Sequence, residues 1–152
     1  MNQSPHNLMT EPRNHPNKIL FVCVGNACRS QMAEAWAKHF GKGRVEAHSA
    51  GSHPFGSIAE GTYTVMSEKG ISLDEQCSKG LGDLAVAEMD VVVRMGSEVE
   101  CTVPEGFKGR VVDWNIPDPY ARGIESYRNV RDMIERQVLA LLADIVVPDA
   151  SA

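Results

Sequence analysis

The sequence predicts an α/β fold, a three-layer sandwich in which about four parallel strands carry helices on both faces. Short apolar, β-rich runs alternate along the chain with stretches of helical spacing, and this alternation implies right-handed βαβ crossovers. The length of 152 residues and the hydrophobic content of 43% suit one domain with one core. No internal repeat or low-complexity segment points to a second domain.

The first half of the chain provides two strands and two helices. Residues 18–23 (K-I-L-F-V-C) form an apolar run typical of a buried strand. Apolar side chains at helical spacing predict a helix over 30–40, which Gly41 ends. Residues 44–49 alternate in polarity like a second strand, and a second helix is expected over 58–69.

The second half repeats this alternation. A short helix is expected over 80–87, and residues 90–95 form the clearest buried strand. Residues 109–114 predict a weaker strand at the edge of the sheet. After a proline-rich loop over 116–123, the final helix is expected over 124–145, because apolar side chains recur there every three or four residues.

Both ends of the chain are expected to lie outside the domain, which then covers residues 18–147. Residues 1–17 are polar and contain proline, so they are predicted to be a flexible tail, and 148–152 a C-terminal tail. No apolar run approaches the roughly 18 residues of a membrane span. We therefore expect no membrane association and a cytoplasmic location.

Composition also excludes some classes of ligand. The net charge of −5, with both signs interspersed, argues against a nucleic-acid partner. The five histidines show no ligand spacing, and the four cysteines include no C-x-x-C pair. We therefore expect neither a metal site nor a resident cofactor.

The loop after the first predicted strand carries the strongest chemical signal. Its sequence is C-V-G-N-A-C-R-S, and a helix follows at once. The N–H groups of such a turn can converge on the point at which the helix N-terminus is directed. The planar guanidinium of Arg29 can bind two oxygens of a phosphate-like group. The expected oxyanion-binding residues are Val24, Gly25, Asn26, Ala27, Cys28 and Arg29.

Within this loop Cys23 is the candidate nucleophile. A helix N-terminus and a nearby cation favour a thiolate, and a thiolate at the floor of an anion cradle is ready to attack. Gly25 and Asn26 tolerate backbone angles closed to most residues. Ser30 can donate a hydrogen bond to the sulfur. The alternative is a buried cysteine in a tight turn, with Arg29 in a surface ion pair.

The stretch F-V-C-V-G-N-A-C-R-S-Q-M-A-E resembles the low-molecular-weight protein-tyrosine phosphatases and the arsenate reductases that share their fold. The resemblance spans residues 18–145 and includes the motif Asp118-Pro119-Tyr120. It implies a phosphotyrosine protein phosphatase I-like fold, with Asp118 as general acid and base. Asp113 competes for that role but lies in strand-like sequence. The rim of the pocket is expected to include Tyr120 and Trp114, although simple packing explains either residue.

The resemblance leaves two reactions open. Hydrolysis of a phosphotyrosine protein needs a nucleophile, an oxyanion-binding group, a hydrogen-bond donor to the sulfur and a general acid. All four are present, as Cys23, Arg29, Ser30 and Asp118. Reduction of arsenate needs further thiols or an external thiol from thioredoxin or glutaredoxin. Gln31 after the serine is typical of the reductases, whereas the thiol relay is incomplete here. Hydrolysis is therefore favoured, with arsenate reduction as the alternative and a non-catalytic oxyanion-binding module as a third interpretation.

Three other cysteines are redox candidates. Cys28 is expected either to form a reversible disulfide with Cys23 or to fill space under the loop. Cys77 is expected mainly as a buried filler. Cys101 is expected in an exposed segment, because the charged residues Glu98 and Glu100 lie just before it.

Overall fold

The computed structural model describes residues 16–145, so the two predicted tails lie outside the described residues except for Pro16 and Asn17. Four strands alternate with three α-helices. In chain order the elements are β1 (Asn17–Cys23), α1 (Arg29–Phe40), β2 (Val45–Gly51), α2 (Glu60–Ser67), β3 (Val91–Met95), β4 (Arg110–Trp114) and α3 (Ile124–Ile145).

The four strands form one parallel sheet in the order β2-β1-β3-β4. The predicted parallel sheet is therefore confirmed, and β4 lies at an edge as its weaker pattern indicated. In such a sheet the carboxyl ends of all strands meet at one edge, where α/β proteins bind ligands. Cys23 is the last residue of the central strand β1 and pairs with Gly51 at the end of β2.

Side chains of β1 alternate between two apolar clusters, one on each face of the sheet. Ile19, Phe21 and Cys23 pack with residues from all three α-helices. Leu20 and Val22 face the other side, which is covered by irregular segments and two short 3₁₀-helices. All five side chains are at most 2% exposed. Burial of a large apolar side chain stabilises the fold by roughly 1.5–3 kcal/mol.

The prediction of a single short helix over 80–87 is wrong. The chain forms two 3₁₀-helices there, Leu81–Asp83 and Val86–Glu88, separated by an extended Leu84. Gly80 and Gly82 weaken an α-helix by roughly 1 kcal/mol each. The extended step also lets Leu81, Leu84 and Val86 all pack on the second cluster. The two 3₁₀-helices and the irregular segments still cover the face of the sheet that carries Leu20 and Val22. The sheet is therefore covered on both faces, as the three-layer architecture requires.

The α-helices join through both apolar and ionic contacts. Trp36 in α1 donates its indole N–H to the carbonyl of Arg131 in α3, at 3.2 Å. Glu68, just after α2, binds both Arg128 and Arg131. α2 is shorter than expected because Ala59 is extended and Gly70 has a φ of 74°. None of the helices within residues 16–145 has the length and hydropathy that crossing a bilayer requires.

Candidate active site

Every carbonyl group of the loop between β1 and α1, from Cys23 to Cys28, accepts a hydrogen bond. Hydrogen bonds reach them from Ser52 N (3.0 Å, to Cys23), His53 N (2.8 Å, to Val24), Phe55 N (2.9 Å, to Gly25), Gln31 Nε2 (3.1 Å, to Asn26), Ala59 N (3.1 Å, to Ala27) and Met32 N (3.0 Å, to Cys28). The N–H groups of residues 24–28 donate to no acceptor within residues 16–145. Because buried N–H groups are rarely left unpaired, these donors indicate a site for an external acceptor.

Asn26 allows the loop to turn. Its φ of 51° lies in the left-handed region, which asparagine tolerates better than most residues. Gly25 was expected to share this freedom, but it is not among the residues with a positive φ. A Cβ there would lie 2.8 Å from the ring of Phe55, so a larger residue would require this exposed ring to move.

The side chain of Asn26 stabilises the loop through four hydrogen bonds, a role that the sequence did not indicate. Its Nδ2 donates to Ser30 Oγ at 2.7 Å and to Ser49 Oγ at 3.0 Å. Its Oδ1 accepts from the N–H of Lys79 at 2.8 Å and from Gln31 Nε2 at 3.0 Å. Both donors and both acceptor sites of this buried amide are therefore used, which stabilises one conformation of the loop.

A buried polar network extends this support. Ser49 donates to Glu34 Oε1 at 2.6 Å, and Glu34 pairs with Lys38 at 2.6 Å. Gln76 donates to the side chain of Gln31 at 2.7 Å. The network ties α1, β2 and the segment after α2 to the loop. Such fully satisfied networks rigidify the backbone that they bind.

Ser30 contacts the sulfur of Cys23 at 2.9 Å. The hydroxyl already accepts a hydrogen bond from Asn26, so its own hydrogen is available to the sulfur. Cys23 is 2% exposed and lies at the floor of a small pocket.

Arg29 is 2% exposed and is held mainly through one end of its guanidinium. Nη1 donates to the carbonyls of Met95 at 2.7 Å and Ile116 at 3.0 Å, and lies 2.9 Å from a carboxylate oxygen of Glu98. Nη2 lies 3.9 Å from Asp118. Nε and Nη2 donate no hydrogen bond to any group of residues 16–145, so this edge is free for an oxyanion.

Asp118 lies at the mouth of the same pocket. Its Oδ1 accepts from the N–H of Tyr120 at 3.0 Å, which fixes the carboxylate in a tight turn. The side chain is 51% exposed and therefore accessible to water. The pocket is lined by Cys23, Val24, Gly25, Ala27, Cys28, Arg29, Phe55, Asp118 and Tyr120.

Two aromatic rings form the rim. Tyr120 lines the pocket, and Phe55 meets it edge-to-face with ring centroids 5.3 Å apart. Phe55 was missed because a lone aromatic in a loop carries no local signal. Trp114, the other expected rim residue, does not line this pocket. It is 7% exposed and packs with Phe21 in the core, since it is the inward-facing last residue of β4.

The three redox candidates lie in different surroundings. Cys28 lines the pocket, is 4% exposed and donates to the hydroxyl of Tyr127 at 3.7 Å. Burial raises the pKa of the Cys28 thiol. Cys77 is exposed, contrary to the filler role expected for it. Cys101 is buried rather than open, and burial raises its pKa as well.

The position of Cys101 follows from alternation in an extended segment. Val99, Cys101 and Val103 all pack on the second cluster, while Glu100 between them is 77% exposed and pairs with His53. Cys101 therefore lies on the face of the sheet opposite to Cys23. No cluster of three or more His, Cys, Asp or Glu residues that would suit a metal ion occurs among residues 16–145.

The chain is similar in sequence to known enzymes. A family described as low molecular weight phosphotyrosine protein phosphatase matches residues 18–148. The glutaredoxin arsenate reductase of Synechocystis sp. is 32% identical, with 84% of this chain and 98% of that protein covered. The putative arsenate reductase of Halobacterium salinarum is 34% identical, with 82% and 89% covered.

Solved structures show the same likeness. An arsenate reductase in the phosphate binding state superposes with a TM-score of 0.78 at 33% identity, covering 85% of this chain and 98% of that chain. The YwlE arginine phosphatase from Geobacillus stearothermophilus gives a TM-score of 0.76 at 29% identity, covering 90% and 97%. Relatives with different reactions thus share this fold.

Proposed function

The chain belongs to the low-molecular-weight phosphotyrosine protein phosphatase family, which here includes arsenate reductases, and on that premise we propose that it hydrolyses phosphate monoesters through a phosphocysteine at Cys23. One observation carries the proposal. The carboxylate of Asp118 lines the same small pocket as Cys23 and the free edge of Arg29. A nucleophile, an oxyanion-binding group and a proton donor are what this reaction requires.

In the first step the phosphate group binds to the N–H groups of residues 24–28 and to Arg29. The Cys23 sulfur attacks phosphorus, the S–P bond forms and the P–O ester bond breaks. Protonated Asp118 gives its proton to the departing oxygen, because an alkoxide or phenoxide leaves poorly without one. The guanidinium and the N–H groups stabilise the charge on the three equatorial oxygens.

In the second step ionised Asp118 takes a proton from water, whose oxygen attacks phosphorus. The S–P bond breaks, and inorganic phosphate and the Cys23 thiolate are released. The hydrogen bond from Ser30 stabilises that thiolate as a leaving group. Asp118 then carries the proton that the next cycle needs.

The rim supports an aryl phosphate such as phosphotyrosine as the substrate class. Phe55 and Tyr120 present apolar ring surface beside the pocket and are 54% and 49% exposed. Their edge-to-face contact leaves no room for a third ring between them, so an aryl group has to displace one. Their high exposure means that little packing opposes this movement.

Arsenate reduction is the second candidate, and the names of the relatives favour it. In that reaction the Cys23 sulfur attacks arsenate, with loss of water, to form a thiol ester of As(V). A second thiol then attacks the Cys23 sulfur, the S–As bond breaks with its electron pair going to arsenic, and arsenite leaves as a disulfide between Cys23 and that thiol forms. Cys101 lies across the sheet from Cys23 and is poorly placed to supply that thiol. The candidates are then Cys28, which lines the same pocket, exposed Cys77, or an external thiol such as glutaredoxin or thioredoxin.

The substitution Asp118→Asn tests the hydrolytic role. We expect the kcat for p-nitrophenyl phosphate or phosphotyrosine to fall by about 10²–10⁴, because general acid catalysis contributes that much. Binding of inorganic phosphate should persist, as measured by calorimetry. Cys23→Ser should abolish turnover.

The matched control is Asp113→Asn. Both oxygens of Asp113 accept hydrogen bonds from Arg94, which lowers the pKa of this carboxyl and makes it a poor proton donor. Its loss should leave kcat within about twofold. Undiminished hydrolysis in Asp118→Asn would contradict the proposal. Reduction of arsenate by the wild type without phosphatase activity would replace it with the second candidate.

A further inference from the structure

Three acceptors surround a single nitrogen of Arg29. Two of them are backbone carbonyls, that of Met95 at the end of β3 and that of Ile116 just after β4. The third is a side chain, the carboxylate of Glu98, whose oxygen lies 2.9 Å from Nη1. Nη1 is thus bound by three segments of the chain while the opposite edge of the guanidinium is free.

The turn that carries Glu98 is closely fitted to Arg29. The N–H of Val99 donates to the carbonyl of Gly96 at 3.2 Å and closes the turn. Gly96 has a φ of 137°, and a Cβ there would lie 2.6 Å from Arg29 Nη1 and 2.6 Å from Glu98 Oε1. Only glycine therefore lets this turn bring the carboxylate onto the guanidinium.

Glu98 does not help the oxyanion by its charge. Its side chain is 50% exposed, and although burial tends to raise its pKa, its own N–H and the Arg29 cation outweigh that effect and lower the pKa. Glu98 is therefore ionised at neutral pH. A carboxylate beside Arg29 repels a phosphate dianion, so any benefit to binding has to come from geometry.

We propose that Glu98 is a positioning residue, whose carboxylate contacts Nη1 at 2.9 Å and helps to hold the guanidinium so that Nε and Nη2 are directed at the oxyanion. The two carbonyls accept the two hydrogens of Nη1, and the carboxylate adds a charged contact that opposes movement of the whole guanidinium away from the loop. Hydrolysis and arsenate reduction both need Arg29 to bind the oxyanion in this orientation. The inference therefore does not depend on which reaction the enzyme catalyses.

The variants Glu98→Gln and Glu98→Ala separate geometry from charge. Both remove the negative charge, but only glutamine retains a polar oxygen that can contact Nη1. We expect the alanine variant to bind inorganic phosphate at least about fivefold more weakly than the glutamine variant in calorimetry, because an orienting polar contact with a charged group is lost. The glutamine variant should bind phosphate at least as tightly as the wild type, since a repulsive charge is removed.

Kinetics provide a second measurement on the same variants. With p-nitrophenyl phosphate, Glu98→Ala should lower kcat more than it raises KM, because the arginine acts most strongly on the transition state. Glu98→Gln should restore kcat to within about twofold of the wild type. Glu100→Ala is the control, since Glu100 lies in the same segment, is 77% exposed and pairs with His53 rather than Arg29.

Equal phosphate affinities in the two Glu98 variants would overturn the proposal, because the acceptor would then have no effect. So would a glutamine variant as impaired as the alanine variant. Melting temperatures identify any loss of folding, which half-exposed Glu98 should not cause. If the wild type hydrolyses no ester, the proposed function fails, while the phosphate affinities still decide the role of Glu98.

Discussion

At the scale of single residues, Asn26 does more than occupy a left-handed backbone position. Its amide uses both donors and both acceptor sites, and two of its partners are the hydroxyls of Ser30 and Ser49. By donating to Ser30 it leaves the serine hydrogen to the sulfur of Cys23. One side chain thus determines both the loop conformation and the direction of a hydrogen bond at the candidate nucleophile.

Asn26→Ala and Asn26→Gly separate these two contributions. Both variants lose the amide, so we expect both to lose turnover of p-nitrophenyl phosphate. Glycine adopts the left-handed conformation without strain, whereas alanine does so at a cost of roughly 1 kcal/mol. Urea unfolding should therefore show the alanine variant to be the less stable of the two. An alanine variant as stable and active as the wild type would contradict this role.

At the scale of elements, the end of β2 shapes the loop that follows β1. The N–H groups of Ser52, His53 and Phe55 bind three successive loop carbonyls and so direct these carbonyls toward the segment after β2, away from the pocket. Because a peptide N–H is antiparallel to its carbonyl, this contact directs the N–H groups of the loop toward the pocket. Gly51 makes the approach possible, since a Cβ there would lie 2.5 Å from the carbonyl oxygen of Val24.

Gly51→Ala should therefore disturb the anion-binding loop. The clash is with backbone, which cannot move aside, and overpacking of this kind costs about 1–3 kcal/mol. We expect lower stability in denaturant and weaker binding of inorganic phosphate. Gly82→Ala is the matched control, because a Cβ at Gly82 meets no atom within 4 Å. Equal behaviour of the two variants would show that the contact at Gly51 is unimportant.

At the scale of the whole molecule, the sheet separates the cysteines. Cys23 and Cys28 share the cluster that includes the α-helices, and Cys101 lies in the cluster on the other face. Cys77 is exposed beside the loop, where its carbonyl accepts from Gln31 at 3.0 Å. A relay from Cys23 to Cys101 would need the chain to leave one face of the sheet.

Substitutions at these two cysteines test that separation. Cys77→Ser and Cys101→Ala should hydrolyse p-nitrophenyl phosphate at the wild-type rate. If the wild type reduces arsenate with glutaredoxin or thioredoxin, both variants should do so too. Cys101→Ala should lower the free energy of unfolding by about 1 kcal/mol, because it leaves a small cavity in the second cluster. Loss of arsenate reduction alone in either variant would indicate an internal thiol relay.

The order of elements could be predicted from the sequence because strand and helix patterns are local. The run ending at Cys23 and the apolar spacing after Arg29 each specify an element without reference to distant residues. The failure over 80–87 has the opposite origin, because Leu81, Leu84 and Val86 adopt the conformation that packs on the sheet. Exposure of Cys77 and burial of Cys101 likewise depend on which side of an irregular segment meets the core.

The sequence by itself determined the oxyanion loop, since Cys23, Arg29 and Ser30 are neighbours in the chain and their distances follow from one turn. Only the tertiary structure decided which distant groups meet that loop. It brought Phe55 to the rim, kept Trp114 in the core and set Glu98 against Arg29. The physical reason is that such contacts join segments far apart in sequence, and their geometry exists only once the sheet and its connections have packed.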